Sequence, residues 1–112
     1  MYKSTRGGKS MEAGKAFALH VNPKDNVAVV LSGGVSRGTV IEIRDHVGET
    51  VELTAQSDIP YGHKIAVRSI AKGEKIIKYG EVIGGASVGI APGEHVHVHN
   101  MDSLRGRGDL NG

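Results

Sequence analysis

A chain of 112 residues with 17 glycines, 6 histidines and no cysteine or tryptophan has room for one small domain, which excludes a two-domain enzyme. Hydrophobic residues make up 38% and aromatics 4%, so the core must be small and aliphatic, and without cysteine there are no disulfides, thiolate nucleophiles or thiolate metal sites. The formal charge of +2 is unevenly placed: Lys3, Arg6, Lys9 and Lys15 against Glu12 give residues 1–15 a balance of +3, which leaves −1 for residues 16–112. A near-neutral domain argues against nucleic-acid binding.

Residues 1–15, rich in Gly, Ser and Lys, are expected to be a disordered basic tail. Within it Arg6-Gly7-Gly8-Lys9-Ser10 imitates the end of a phosphate-binding loop, but Lys3 stands where the first glycine belongs and no strand precedes it. No apolar run approaches the roughly 20 residues of a membrane span, and the N-terminus lacks the apolar stretch of a signal peptide. With the absence of cysteine, this predicts a cytoplasmic protein that does not engage membranes.

From Ala16 onward, short runs of β-branched residues separated by glycine turns predict an all-β domain over residues 16–104. Predicted strands are 16–20, then 27–31 after the Asn22–Asn26 turn, and 39–44 with Ile41 and Ile43 on one face. A hairpin at 45–49 leads to 50–55, with Val51, Leu53 and Ala55 predicted inward. Further strands are expected at 64–70, 75–79, 82–83 and 94–99, with 105–112 as a flexible tail. Turns every 8 to 12 residues, most with glycine, indicate a compact barrel or a clip of interlocked strands. Arg107-Gly108-Asp109 is read as tail composition only.

The densest chemical signal is His95-Val96-His97-Val98-His99. On a straight strand the three imidazoles share one face, with the outer pair roughly 13 Å apart, so at most two converge on one ion and a third ligand comes from elsewhere, such as His20, His63 or a partner chain. His63-Lys64 after Gly62, and Lys78 before Tyr79-Gly80, supply donors for a carboxylate, and Asn100 adds a fixed polar group. His46 falls in a hairpin loop and is read as solvated. The residues define no complete catalytic set.

The blocks Gly62–Ala66, Ile70–Glu74, Ile77–Gly84 and Gly93–Asn100, with the opening block Leu19–Ala28, resemble the SAF domain of the altronate and galactarate dehydratases. That resemblance implies a β-clip fold and a part in forming 2-keto-3-deoxy acids from sugar acids, and the chain resembles the arrangement in which this domain is a separate small subunit of a large catalytic dehydratase subunit. A related two-subunit enzyme acts on sulfolactate. The resemblance further implies a divalent metal, iron or similar, held mainly with the large subunit. The expected site is then His20, His97 and His99 as catalytic groups, His63, Lys64, Lys78 and Asn100 as substrate contacts, and His97 and His99 as metal ligands, with His95 weighted less. The alternative expectations are the small subunit of a sulfolactate sulfo-lyase or a non-enzymatic carbohydrate-binding or assembly β-clip.

Overall fold

The computed structural model describes residues 15–103. Residues 1–14 of the expected basic tail and the whole expected 105–112 tail therefore lie outside the described residues, as does Leu104 at the end of the expected domain. No helix occurs among the described residues. The nine strands among the described residues are β1 (Phe17–His20), β2 (Val27–Val30), β3 (Val40–Asp45), β4 (Thr50–Thr54), β5 (Lys64–Ala66), β6 (Lys75–Lys78), β7 (Glu81–Ala86), β8 (His95–Val96) and β9 (Met101–Ser103). They form a six-stranded sheet in the order β4-β3-β1-β2-β5-β8 and a three-stranded sheet in the order β9-β7-β6. Among the described strands, only β1 and β3 pair in parallel.

The strands are short because one motif interrupts them repeatedly. Ala55-x3-Ile59-x2-Gly62, Ala66-x3-Ile70-x2-Gly73 and Ala86-x3-Ile90-x2-Gly93 share a spacing, and Val35-x2-Gly38 adds a fourth copy of its second half. In each copy the glycine has a positive φ, between 82° and 91°. The next residue donates to the carbonyl two positions before the glycine, at 2.9–3.1 Å, closing a turn that only a residue without Cβ enters freely. The apolar residues at the turn entrances pair across the fold, Val35 with Ile59 and Ile70 with Ile90, each through two reciprocal backbone bonds of 2.8–2.9 Å. This internal repeat interlocks the strands into the clip and was not read from the sequence.

Two aliphatic clusters result. One joins Ala18, Val30, Ile41, Ile43, Ile59 and Ile65, and the other joins Val27, Ile70, Ile76, Ile90 and Val96 between the two sheets. Ile41 and Ile43 face the core as expected. Val51 does not: it is 65% exposed, because β4 is the outer strand of its sheet and no layer covers the hairpin end, whereas Ala55 beyond it is buried. The 64–70 segment is a strand only to Ala66, since the repeat turns the chain toward Ile70. The predicted strand 82–83 is longer, continuing through Gly84 and Gly85 to Ala86, and Gly84 is required there because a Cβ would run into the Asp102 carbonyl of β9. The expected strand 94–99 shrinks to His95–Val96, for a reason that shapes the site.

Candidate functional site

The site is built on the β5–β8 pair. Lys64 lies opposite Val96 and Ile65 opposite His95, so His63 and His97 come together one step beyond the pairing. Past Val96 the chain turns instead of extending. The buried Asn100 side chain accepts from the His97 N–H at 3.0 Å and donates to the His95 carbonyl at 2.8 Å, while its own backbone N–H donates to the His97 carbonyl at 3.0 Å. These bonds give the backbone an alternative to the sheet ladder. The straight-strand spacing therefore fails: the rings of His95 and His99 lie 5.0 Å apart. Val96 is buried, whereas Val98 beyond the turn is 76% exposed.

The ligand atoms of His63, His95 and His97 all lie within 4.8 Å of one another. His63 and His97 stack with centroids 4.1 Å apart, and His63 Nδ1 hydrogen-bonds His95 Nε2 at 2.9 Å. One of those nitrogens carries the shared proton and the other accepts it, so the pair cannot be fully protonated. Burial first, then the neighbouring His99, His63, His97 and Lys64, lowers the His95 pKa to about 4. Burial, followed by His63, Lys64 and His99, lowers that of His97. Nδ1 of His97 is buried with no hydrogen-bond partner, a costly state for a nitrogen that a bound group would relieve. Close imidazoles, with His95 and His97 held toward the neutral form and one nitrogen unsatisfied, fit a divalent metal, whose ligands are neutral imidazoles.

Cationic groups border the trio. Lys64 is half-buried, and burial together with Lys78 lowers its pKa. The ammonium of Lys78 lies 4.9 Å from the centroid of Tyr79. His20 stands outside the trio of close ligand atoms: its Nε2 bonds the Asp25 carbonyl at 2.7 Å. His46 is exposed, as read from its hairpin. Thus His63, His97, His99 and Lys64 are brought together, Lys78 borders them through Lys64, Asn100 shapes their loop, and His20 braces a separate turn. His95, weighted least in the sequence, sits inside the trio.

Sequence reasoning missed the hub behind that turn. The buried carboxylate of Asp25 accepts from the N–H groups of Asn22 at 3.2 Å, Tyr79 at 2.9 Å and Gly80 at 2.8 Å. Asn26 donates to the Lys75 carbonyl and accepts from the Ile77 N–H, both at 2.8 Å. The polar Asn22–Asn26 run carried the signal, but it reads equally as an exposed turn.

The interlocked short strands of the two sheets agree with the all-β clip expected of an SAF domain, and residues 16–104 match the altronate/galactarate dehydratase SAF domain. The chain belongs to that family. It is 38% identical over 91 residues to the (2R)-sulfolactate sulfo-lyase subunit alpha of Chromohalobacter salexigens, covering 80% of this chain and 95% of that one. It is 40% identical over 82 residues to the altronate dehydratase of Escherichia coli, covering 73% of this chain but 15% of that protein, and 36% identical over 86 residues to the galactarate dehydratase of the same organism, again 15% of its length. The chain thus spans almost all of one kind of relative and a small part of the other. No described helix is long and apolar enough to cross a membrane.

Proposed function

We propose that the chain is the small, SAF-domain component of a lyase that eliminates a β-substituent from a 2-hydroxy acid, acting with a larger catalytic chain. The observation that carries this reading is the close His63–His95–His97 trio beside Lys64, in a domain whose relatives are named as lyase components or dehydratases. Coverage of 95% of a sulfo-lyase subunit favours a sulfonate as the substrate; a sugar acid such as altronate or galactarate is the second reading, favoured by the matched domain family.

The two substrates share one elimination. A base removes the proton α to the carboxylate, the electron pair forms a carbon–carbon double bond, and the β-group departs as sulfite when a C–S bond breaks or as water, after protonation, when a C–O bond breaks. The enol then tautomerises to the 2-keto acid. Lys64 and Lys78 bind the substrate carboxylate, and His99, on the exposed rim, holds the proton for a leaving hydroxyl. His63, His95 and His97 are the residues that would hold a divalent ion such as iron, which when bound supplies Lewis-acid polarisation of the substrate oxygens. Asn100 and His20 act as positioning residues, the first on the imidazole loop and the second on the Asp25 turn.

Reconstitution tests this. The purified chain with ferrous iron should not turn over (2R)-sulfolactate, altronate or galactarate alone, and should do so once the larger lyase chain is added, releasing sulfite or a 2-keto-3-deoxy acid. Turnover by the small chain alone, or none with any such partner, would falsify the reading.

A further inference from the structure

Tyr79 is the described non-glycine residue with a positive φ, at 55°, and its side chain is 54% exposed. With Gly80, at φ 78°, it makes the tight connection between β6 and β7, a place that glycine enters without a Cβ and that asparagine tolerates through local hydrogen bonds of its short side chain, whereas a tyrosine there is crowded. The conformation is imposed from beneath, because the buried Asp25 carboxylate binds both the Tyr79 and Gly80 N–H groups. The Asp25 backbone carbonyl is itself held by His20 and by Arg68 at 3.2 Å. Backbone strain fixed by a buried hub, with an exposed aromatic ring as its outward result, marks a placed side chain.

The surroundings of that ring indicate what it meets. Lys78 lies against it, and Lys78 in turn acts on Lys64, next to His63. Tyr61, 63% exposed, stands on the turn that delivers His63, and Val98 is exposed between His97 and His99. Exposed apolar groups therefore flank the imidazole–lysine centre, as they would where a partner seals a polar site from water. Ion pairs between described residues join Lys15 to Glu52 and Arg44 to Glu42, so neither Lys64 nor Lys78 is paired with a described carboxylate. In altronate dehydratase the matched domain is 15% of a longer protein, so a large body of the same protein accompanies it there.

We propose that this face docks the larger lyase chain, with Tyr79 as its anchor and the exposed Tyr61 and Val98 alongside, closing over Lys64 and Lys78 where they hold the substrate carboxylate. The proposal rests on the lyase reading above and adds the surface and the anchor.

Tyr79→Asn separates the anchor from the turn, because asparagine tolerates the left-handed conformation while the ring is lost. Full-length wild type, Y79N, Y79F and V47S, the last at the exposed β3–β4 turn, are titrated calorimetrically onto the larger chain that restores turnover. Y79N should melt no lower than wild type yet bind at least tenfold more weakly, with turnover recovering as its concentration is raised; Y79F and V47S should bind within about twofold of wild type. Wild-type affinity in Y79N, with an active wild-type complex, overturns the anchor and leaves the lyase reading standing. Failure of wild type to form any complex with a larger lyase chain overturns both.

Discussion

Asn100 and His97 have reciprocal needs. The Asn100 amide spends both ends on the backbone of the loop that presents His97, and His97 retains a buried nitrogen with no partner. Asn100→Ala removes the loop's brace and leaves the His95 carbonyl and His97 N–H without that partner. We expect a loss of about 1–3 kcal/mol in urea unfolding and, because supporting groups orient metal ligands, roughly 10–100-fold weaker binding of a divalent probe such as Co²⁺. Equal cobalt affinity in the variant would show that the loop needs no brace. The same imidazoles make the metal-free fold acid-sensitive. His95 faces His63, His97, His99 and Lys64, and its pKa is lowered to about 4 from 6.5, with His97 lowered too. Between these values the unfolded chain binds protons that the folded chain refuses, so stability is retained above about pH 6.5 and declines as pH falls toward 4. The urea midpoint should drop from pH 7.5 to pH 5, and His95→Gln should reduce that drop; an unchanged midpoint contradicts the assignment of neutral imidazoles.

Strands and turns explain which parts of the fold could be read in advance. Ile41 and Ile43 alternate with Glu42 and Arg44, and β3 has neighbours on both sides, so local pattern and tertiary burial agree. In β4 the pattern continues but the covering layer ends, and Val51 is exposed. The His-Val-His-Val-His segment alternates just as well, yet the side chain of Asn100 reaches back three and five residues and converts its second half into a turn. Alternation predicts a strand only where no nearby side chain offers the backbone a better partner. The imidazoles were therefore legible as a cluster, while their grouping was not. The repeat turns give a direct test at this scale. Gly73 and Gly93 occupy equivalent positions with φ 87° and 91°, but a Cβ at Gly73 meets open space and one at Gly93 would run into the Thr54 carbonyl. Gly73→Ala should cost about 1 kcal/mol from the left-handed backbone alone, and Gly93→Ala more than about 2 kcal/mol, since backbone must move as well. Equal costs in paired urea titrations would mean that β4 yields freely at Thr54.

At the scale of the molecule, the two sheets meet through the small Val27–Ile76 aliphatic cluster and through a polar joint beside it. Asn26 sits at the start of β2 and holds β6 through the Lys75 carbonyl, the Ile77 N–H and a further bond from its own N–H to the Ile77 carbonyl at 3.3 Å, while its carbonyl accepts from Val67. Its side chain is 1% exposed, so no water replaces a lost bond. Asn26→Ala leaves the part-buried Lys75 carbonyl and Ile77 N–H without that partner, at up to about 1–3 kcal/mol each, a large share of the stability of so small a domain. The groups lost all face β6, whereas β1 to β4 keep their ladders and the Ile41–Ile59 cluster. Hydrogen exchange of the variant should therefore quicken first in β6 and β7, with β1 and β3 retaining most of their protection, and Lys78 and Tyr79 would be released from the imidazole edge together. If protection instead falls equally in every strand, the two sheets open as one unit and the Asn26 joint does not separate them.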